Sequence, residues 1–191
     1  MRFLEDHQYI KLIRQGDMQA FGLLVQKHQN LVYTLAVRML KNPEEAQEAA
    51  QDTFVKIYQS LSGFEGKSKF TTWMYRIVYN ECLSRLRKVK RNFTLVEELV
   101  NNPEEPADLM GGLEIMLLEE RAALVRKGIE MLSASEAVVL TLFYLEDQSI
   151  KEISTITGNS ESNIKVQLFR GRNHLGVALQ KLTNSELIGT K

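Results

Sequence analysis

Between Phe70 and Arg91 the chain reads FTTWMYRIVYNECLSRLRKVKR. Aromatics come first: Phe70, Trp73, Tyr75 and Tyr79 are interleaved with Thr71, Thr72, Arg76 and Asn80. Arg85, Arg87, Lys88, Lys90 and Arg91 follow, and no acidic residue comes after Glu81. The stretch reads as one helix, and neither a proline nor a glycine interrupts it. Aromatic rings give bases a surface to stack on, and cations neutralise phosphates. One helix carrying both, in that order, suits opened or distorted nucleic acid. The competing reading is an amphipathic helix with a solvated basic end.

Outward from this helix the pattern stays helical. Asp17 suits an N-cap after the Gly16 break. Phe21, Leu24, Val25, His28, Leu31, Val32, Leu35 and Met39 then fall on one face at 3.6 spacing. His28 lies on that stripe and reads as a core histidine. Asn42-Pro43-Glu44-Glu45 is a helix start, with a cap, a first-turn proline and carboxylates at the positive end of the dipole. Ala46, Ala49, Ala50, Thr53, Phe54, Ile57 and Leu61 follow on that helix, and Ser62 to Lys69 is a loop. Between Phe93 and Gly112 the periodicity fades, and two of the three prolines fall there. This reads as an extended linker. Helical spacing resumes near Leu113, with Ser133-x-x-Glu136 and Ser149-x-x-Glu152 as capping boxes. No strand-like alternation of useful length occurs, so the expected class is all-α, in two small helical domains.

Charge divides the chain the same way. The net charge of zero over 191 residues hides a pattern. Residues 1–92 hold 15 Lys+Arg against 9 Asp+Glu, residues 93–120 hold none against 8, and residues 121–191 hold 9 against 7. Two basic modules on an acidic tether are expected. The tether fits a solvated spacer, or a segment that mimics the charge of single-stranded nucleic acid and repels DNA. No window approaches the roughly 20 apolar residues of a membrane span. The N-terminus is polar where a leader peptide needs an apolar core. A single cysteine, Cys82, fits a reducing cytoplasm. Its place near the basic helix end could lower its pKa, against the plainer reading of a structural thiol.

Ile150 to Leu175 has helix-turn-helix spacing. A short helix presents Ile150, Ile153 and Ile156, Gly158-Asn159 makes the turn, and a longer helix places Ile164 and Leu168 inward. Glu161, Asn163, Lys165, Gln167, Arg170 and Arg172 point outward. Such a helix reads base edges near its N-terminal end and holds phosphates further along. Gly171 inside the helix costs about 1 kcal/mol against alanine, so it either permits a close approach or is incidental. Catalytic constellations are weak. Consecutive pairs such as Glu44/Glu45 point in different directions on a helix. No phosphate loop and no zinc-type spacing is present. The expectation is no enzyme, no cofactor and no metal. The rival is a stand-alone regulator binding duplex operator through the helix-turn-helix, but it has little use for the aromatic–basic helix.

Together the two modules resemble bacterial RNA polymerase sigma factors of the extracytoplasmic-function (ECF) type. The resemblance rests on Gly16-Asp17-Met18-Gln19-Ala20-Phe21, Gln51-Asp52-Thr53-Phe54-Val55, Phe70-Thr71-Thr72-Trp73-Met74-Tyr75-Arg76-Ile77, Ser149-Ile150-Lys151-Glu152-Ile153-Ser154 and Asn163 through Arg172. It implies a transcription initiation factor that binds core RNA polymerase, through the beta-prime clamp and beta flap, and promoter DNA. It also implies an anti-sigma partner, which in this family can be membrane-anchored. The implied domains are 1–92 (region two), 93–118 (acidic linker), 119–182 (region four) and 183–191 (tail). Gln51, Asp52, Phe54 and Lys56 would meet the polymerase. Phe64, Lys67, Lys69, Phe70, Trp73, Arg76 and Asn80 would capture and open the −10 element, although Trp73 fits the core equally well. Arg85, Arg87, Lys88 and Arg91 would track phosphates. Asn163, Lys165, Val166, Phe169, Arg170 and Arg172 would read the −35 element. Ser133 stands where the family often has proline, Ser154 and Gly171 where it has alanine, and Gln167 where arginine is common.

Overall fold

The computed structural model describes residues 4–92 and 118–188, with the side chains of 89–92, 118 and 185–188 outside that set. The expected linker, the 189–191 end of the tail and the Arg91 side chain therefore lie outside the described residues. Within them, every regular element is helical. The α-helices are α1 (Asp6–Arg14), α2 (Met18–Leu40), α3 (Pro43–Ser60), α4 (Phe70–Asn92), α5 (Leu118–Glu130), α6 (Ala134–Leu140), α7 (Ile150–Thr157) and α8 (Glu161–Ile188). The chain divides into two compact units, residues 1–95 with 151–159 and residues 96–150 with 160–191.

In the first unit, α2 starts where Asp17 Oδ1 accepts from the Gln19 and Ala20 amides at 2.9 and 3.0 Å. It ends at Lys41, which takes the left-handed conformation (φ 56°) that glycine more often fills. Asn42 Oδ1 then caps α3, accepting from Glu44 and Glu45 at 2.9 and 3.2 Å. The buried stripe of α2 is Ala20, Leu24, His28, Val32, Leu35 and Met39. It packs on α3, whose buried face is built of the small residues Ala46, Ala49, Ala50 and Thr53 with Ile57. Small side chains let ridges of one helix sit deep in the grooves of the other. From α4 the core takes Phe70, Met74, Tyr75, Val78 and Cys82, and α1 adds Tyr9, Ile10 and Ile13. His28 is buried at 3% exposure, with Nε2 2.8 Å from Asp6 Oδ1. Burial alone would raise the Asp6 pKa, but the bonds from His28 and Lys27 hold it below its ordinary value. Cys82 is wholly buried, and burial, aided by the Glu81 carboxylate, pushes its thiol up to about 12. The basic helix end does not lower it: desolvation outweighs the nearby Arg85.

In the second unit, α5 and α6 pack on α8. Ser133 caps α6: its hydroxyl accepts from the Glu136 amide at 3.4 Å and donates to Glu136 Oε2 at 2.7 Å, so the Glu136 carboxylate returns to the hydroxyl and not to the Ser133 amide of the expected capping box. A π-helical turn at Thr141–Leu145 continues α6. Gly171 lies where α8 crosses α6: a Cβ there would sit 3.2 Å from Leu140 Cδ1 and 3.4 Å from Glu136 Cβ, so a larger residue needs the Leu140 side chain to give by a few tenths of an ångström. This settles the sequence ambiguity in favour of close approach.

Candidate nucleic-acid interface

The first candidate surface is built on the loop before α4. A 3-10 turn at Leu61–Gly63 leads into the loop. Arg14, at the end of α1, donates through Nη2 to the carbonyls of Leu61 (3.1 Å), Ser62 (3.5 Å) and Phe64. One guanidinium from a distant helix thus ties down the backbone that carries Phe64. The Phe64 ring lies 5.1 Å from Trp73 and 5.9 Å from Phe70, and Phe70 lies 5.6 Å from His28. Such tilted ring pairs favour order beyond the area they bury.

Burial sorts the aromatics. Phe64 and Trp73 are half-buried, whereas Phe70 and Tyr75 are 6% and 2% exposed. Phe70 therefore departs from the expected DNA contact: its ring has no open face and instead supports Phe64 and Trp73 from below. Tyr79 is half-buried, and burial raises its phenol pKa. Arg76 and Asn80 are exposed. Positions 73, 76 and 80 share one helix face, so the half-open indole leads into a cation and an amide. Lys67 and Lys69 are exposed, with Lys67 paired to Glu65. At 85% exposure that pair restrains Lys67 little.

Arg85 differs from the expectation most clearly. Its guanidinium meets Glu81 Oε1 at 2.7 Å, Glu48 Oε2 at 3.2 Å and Asp52 Oδ2. Three carboxylates satisfy it within the unit, so it fastens α4 to α3 and is not an open phosphate ligand. Lys56 pairs with the buried Glu81 in the same network. Arg87 and Lys88 are exposed.

Of the expected polymerase contacts, Gln51, Asp52 and Lys56 are exposed and Phe54 is half-buried. Two large apolar neighbours stand further out: Val55 and Tyr58 are 55% and 44% exposed. Tyr58 lies 5.0 Å from Phe21, and its hydroxyl is 3.1 Å from Met18 Sδ. Sequence reading passed over this patch, although a signal was present. Positions 51, 55 and 58 fall opposite the buried 46, 50, 53 and 57 on the same helix.

The second candidate surface is α8. The chain leaves α7 at Thr157, turns through Gly158 (φ 75°) and enters α8 at Glu161. The Ser154 hydroxyl donates to the Asn159 carbonyl at 2.7 Å, so this serine braces the turn. Ser160 Oγ accepts from the Asn163 amide at 3.3 Å. Ile164 and Leu168 are buried as expected, and Asn163, Lys165, Val166, Phe169, Arg170 and Arg172 are all exposed. Gln167 is half-buried instead of outward, donating to Asn163 Oδ1 at 2.7 Å. Arg172 donates to the Tyr144 hydroxyl at 3.2 Å. Val166 and Phe169 are 49% and 56% exposed among polar neighbours. Open apolar side chains of this kind suit thymine methyls in a major groove. Among the described residues, no group of His, Cys, Asp and Glu could hold a metal ion. No helix there is long and apolar enough to cross a membrane.

Comparison with known proteins converges on one family. The Sigma-70 region 2 family matches residues 24–92, and the Sigma-70, region 4 family matches residues 122–175. The RNA polymerase sigma-H factor of Pseudomonas aeruginosa is 32% identical over 184 residues, covering 93% of this chain and 95% of the relative. The ECF RNA polymerase sigma factor SigW of Bacillus subtilis is 29% identical over 185 residues, covering 91% and 96%. The sigma factor RpoE of Bartonella quintana, solved with the anti-sigma factor NepR, shares the fold with a TM-score of 0.62. That structure is 23% identical and covers 85% of this chain and 98% of its own. The chain belongs to the extracytoplasmic-function sigma factors, which direct RNA polymerase to promoters at transcription initiation.

Proposed function

We propose that residues 1–92 bind core RNA polymerase and the −10 element and that residues 119–182 bind the −35 element, with 93–118 as an acidic tether. The observation that carries this reading is the half-open Phe64–Trp73 pair, held by Arg14 and continued by exposed Arg76 and Asn80. An unstacked base needs an aromatic neighbour and a polar edge, and a duplex-only binder needs neither. Phe64, Trp73, Arg76 and Asn80 receive the opened strand. Lys67, Lys69, Arg87 and Lys88 neutralise its phosphates and those of the adjoining duplex. Asn163, Lys165, Val166, Phe169, Arg170 and Arg172 read the −35 major groove. The α3 face of Gln51, Asp52, Phe54 and Lys56, widened by Val55 and Tyr58, meets the beta-prime clamp, and the C-terminal domain meets the beta flap. The protein acts in the cytoplasm, performs no catalysis itself and is held in check by an anti-sigma factor.

Promoter-specific transcription with purified core polymerase tests this. The wild-type chain is expected to select promoters from a random-sequence library. Trp73→Ala combined with Asn80→Ala is expected to lower open-complex formation on duplex promoter by about tenfold or more, since base stacking is worth roughly 1–3 kcal/mol per base. Unchanged opening would remove this helix from the melting site. Failure of the wild type to bind core polymerase would remove the reading itself.

A further inference from the structure

Gln167 has no part in the assignments above, yet it grips a residue that does. Asn163, Val166, Gln167 and Arg170 stand at i, i+3, i+4 and i+7 on one face of α8. They line a cleft of about 410 Å³ whose other wall is the start of α6, at Ser135 and Glu136. Gln167 Nε2 donates to Asn163 Oδ1 at 2.7 Å, and Gln167 Oε1 is enclosed with no hydrogen-bond partner among the described residues. Turned the other way, the Gln167 amide would enclose two orphaned N–H groups in place of one oxygen, so burial favours the setting seen. That setting fixes Asn163 in turn. Its Oδ1 is taken from within the helix, and Nδ2, with two N–H groups, is the end left for a ligand. Asn163 is exposed near the start of α8, the end of such a helix that meets base edges.

We propose that Gln167 sets the base preference of Asn163 and makes it a reader of keto bases. A free asparagine amide serves adenine with both ends, Oδ1 accepting from N6 and Nδ2 donating to N7. With Oδ1 held by Gln167, a base would have to share that oxygen with an amide already at 2.7 Å. Asn163 therefore offers donors. Donors fit the O6 and N7 of guanine or the O4 of thymine, and they mismatch the amino groups of adenine and cytosine. The proposal rests on the reading of α8 as the −35 helix and names the class of base selected at one position. Gln167 is a positioning residue, since it acts through Asn163. It stands where arginine is common in the family, so this setting belongs to this chain.

The test uses holoenzyme assembled from the full chain and core polymerase. Wild-type holoenzyme first selects a promoter from random duplex DNA, and its −35 element is then randomised and reselected with each variant. Asn163→Ala marks the base pair that Asn163 reads, as the position whose preference it erases. There the wild type is expected to favour guanine and thymine together, on one strand, over adenine and cytosine by roughly tenfold. Gln167→Met keeps the length of the side chain without the hydrogen bond. It is expected to erase that grouping and leave the other positions as in wild type. Gln167→Glu accepts from Asn163 Nδ2 and turns Oδ1 outward, so the preference is expected to invert to adenine and cytosine on the same strand. If Gln167→Met keeps the wild-type preference, or weakens every position alike, Gln167 does not set the base and the proposal is wrong. The same holds if Gln167→Glu binds without inversion, and the methionine variant decides alone if the glutamate variant binds no duplex. If wild type selects promoters but Asn163→Ala erases no preference, Asn163 reads no base, and the proposal falls while the two-module reading stands. If wild-type holoenzyme selects no promoter, the −35 reading itself falls.

Discussion

Arg85 shows how a side chain that reads as a DNA contact becomes a structural one. Its carboxylate partners Glu48 and Asp52 lie 37 and 33 residues away, so no local pattern announces them. Arg14 is the same case, reaching loop carbonyls 47 to 50 residues distant. The spacing of Trp73, Arg76 and Asn80 put them on one helix, as the structure has them, whereas their role toward DNA is what the family resemblance implies. The Arg85 network also sets an acid sensitivity. Burial alone would raise the pKa of Glu81, but hydrogen bonds from Lys56 and Arg85 hold it below its ordinary value of 4.5. A carboxylate depressed in the folded state gives stability that is fully present above its unfolded pKa and is lost as pH falls through the folded one. Unfolding midpoints in urea are therefore expected to be level above about pH 5 and to drop in more acidic buffer. Glu81→Gln should shorten that acid limb without abolishing it, because Asp6 is depressed in the same sense. At neutral pH, Arg85→Ala should cost about 1–3 kcal/mol by leaving Oε1 of the buried Glu81 without its donor, while Lys56 keeps Oε2. Midpoints identical to wild type at both pH extremes would show that the network contributes nothing.

Helix boundaries were the most legible feature at the level of elements, because caps are local chemistry. Asp17, Asn42 and Ser133 each take up amides within three residues of themselves. The exceptions have local chemistry too, but of a kind with weak sequence signals. Lys41 ends α2 in a left-handed conformation without glycine, and the π-helical turn at Thr141–Leu145 has no diagnostic residue. Gly158 and Gly171 serve opposite purposes. Nothing lies within 4 Å of a Cβ built on Gly158, so its requirement is the backbone angle of φ 75°, whereas Gly171 has an ordinary helical backbone and a close approach to the Leu140 side chain. Gly158→Ala should cost about 1–2 kcal/mol through left-handed strain, and Gly158→Asn clearly less because asparagine tolerates that region. Equal unfolding midpoints for the two substitutions would show that the strain argument fails. A matching loss of −35 duplex affinity is expected for the alanine variant, since the turn sets the entry of α8.

Across the whole molecule, the division into two modules was visible in charge before any motif was used. The −10 and −35 candidate surfaces fall in the two basic stretches, and the tether of 93–118 holds six carboxylates with no cation. A tether of that charge raises the local potential against DNA, which lowers encounter of the free protein with random duplex more than it lowers specific docking. The effect is electrostatic and long in range, so it must fade as the Debye length shrinks from about 10 Å at 0.1 M to about 3 Å at 1 M salt. Replacing the six carboxylates of 93–118 by their amides is expected to tighten binding of the free chain to random duplex by roughly tenfold at low salt and to steepen the salt slope. Addition of core polymerase should narrow the gap between the two proteins, because polymerase then supplies most of the contacts to DNA. Fluorescence anisotropy of labelled random duplex across a salt series measures all three quantities. Equal affinities at low salt would reduce the tether to a spacer, and a gap that persists unchanged at 1 M salt would show that its effect is not electrostatic.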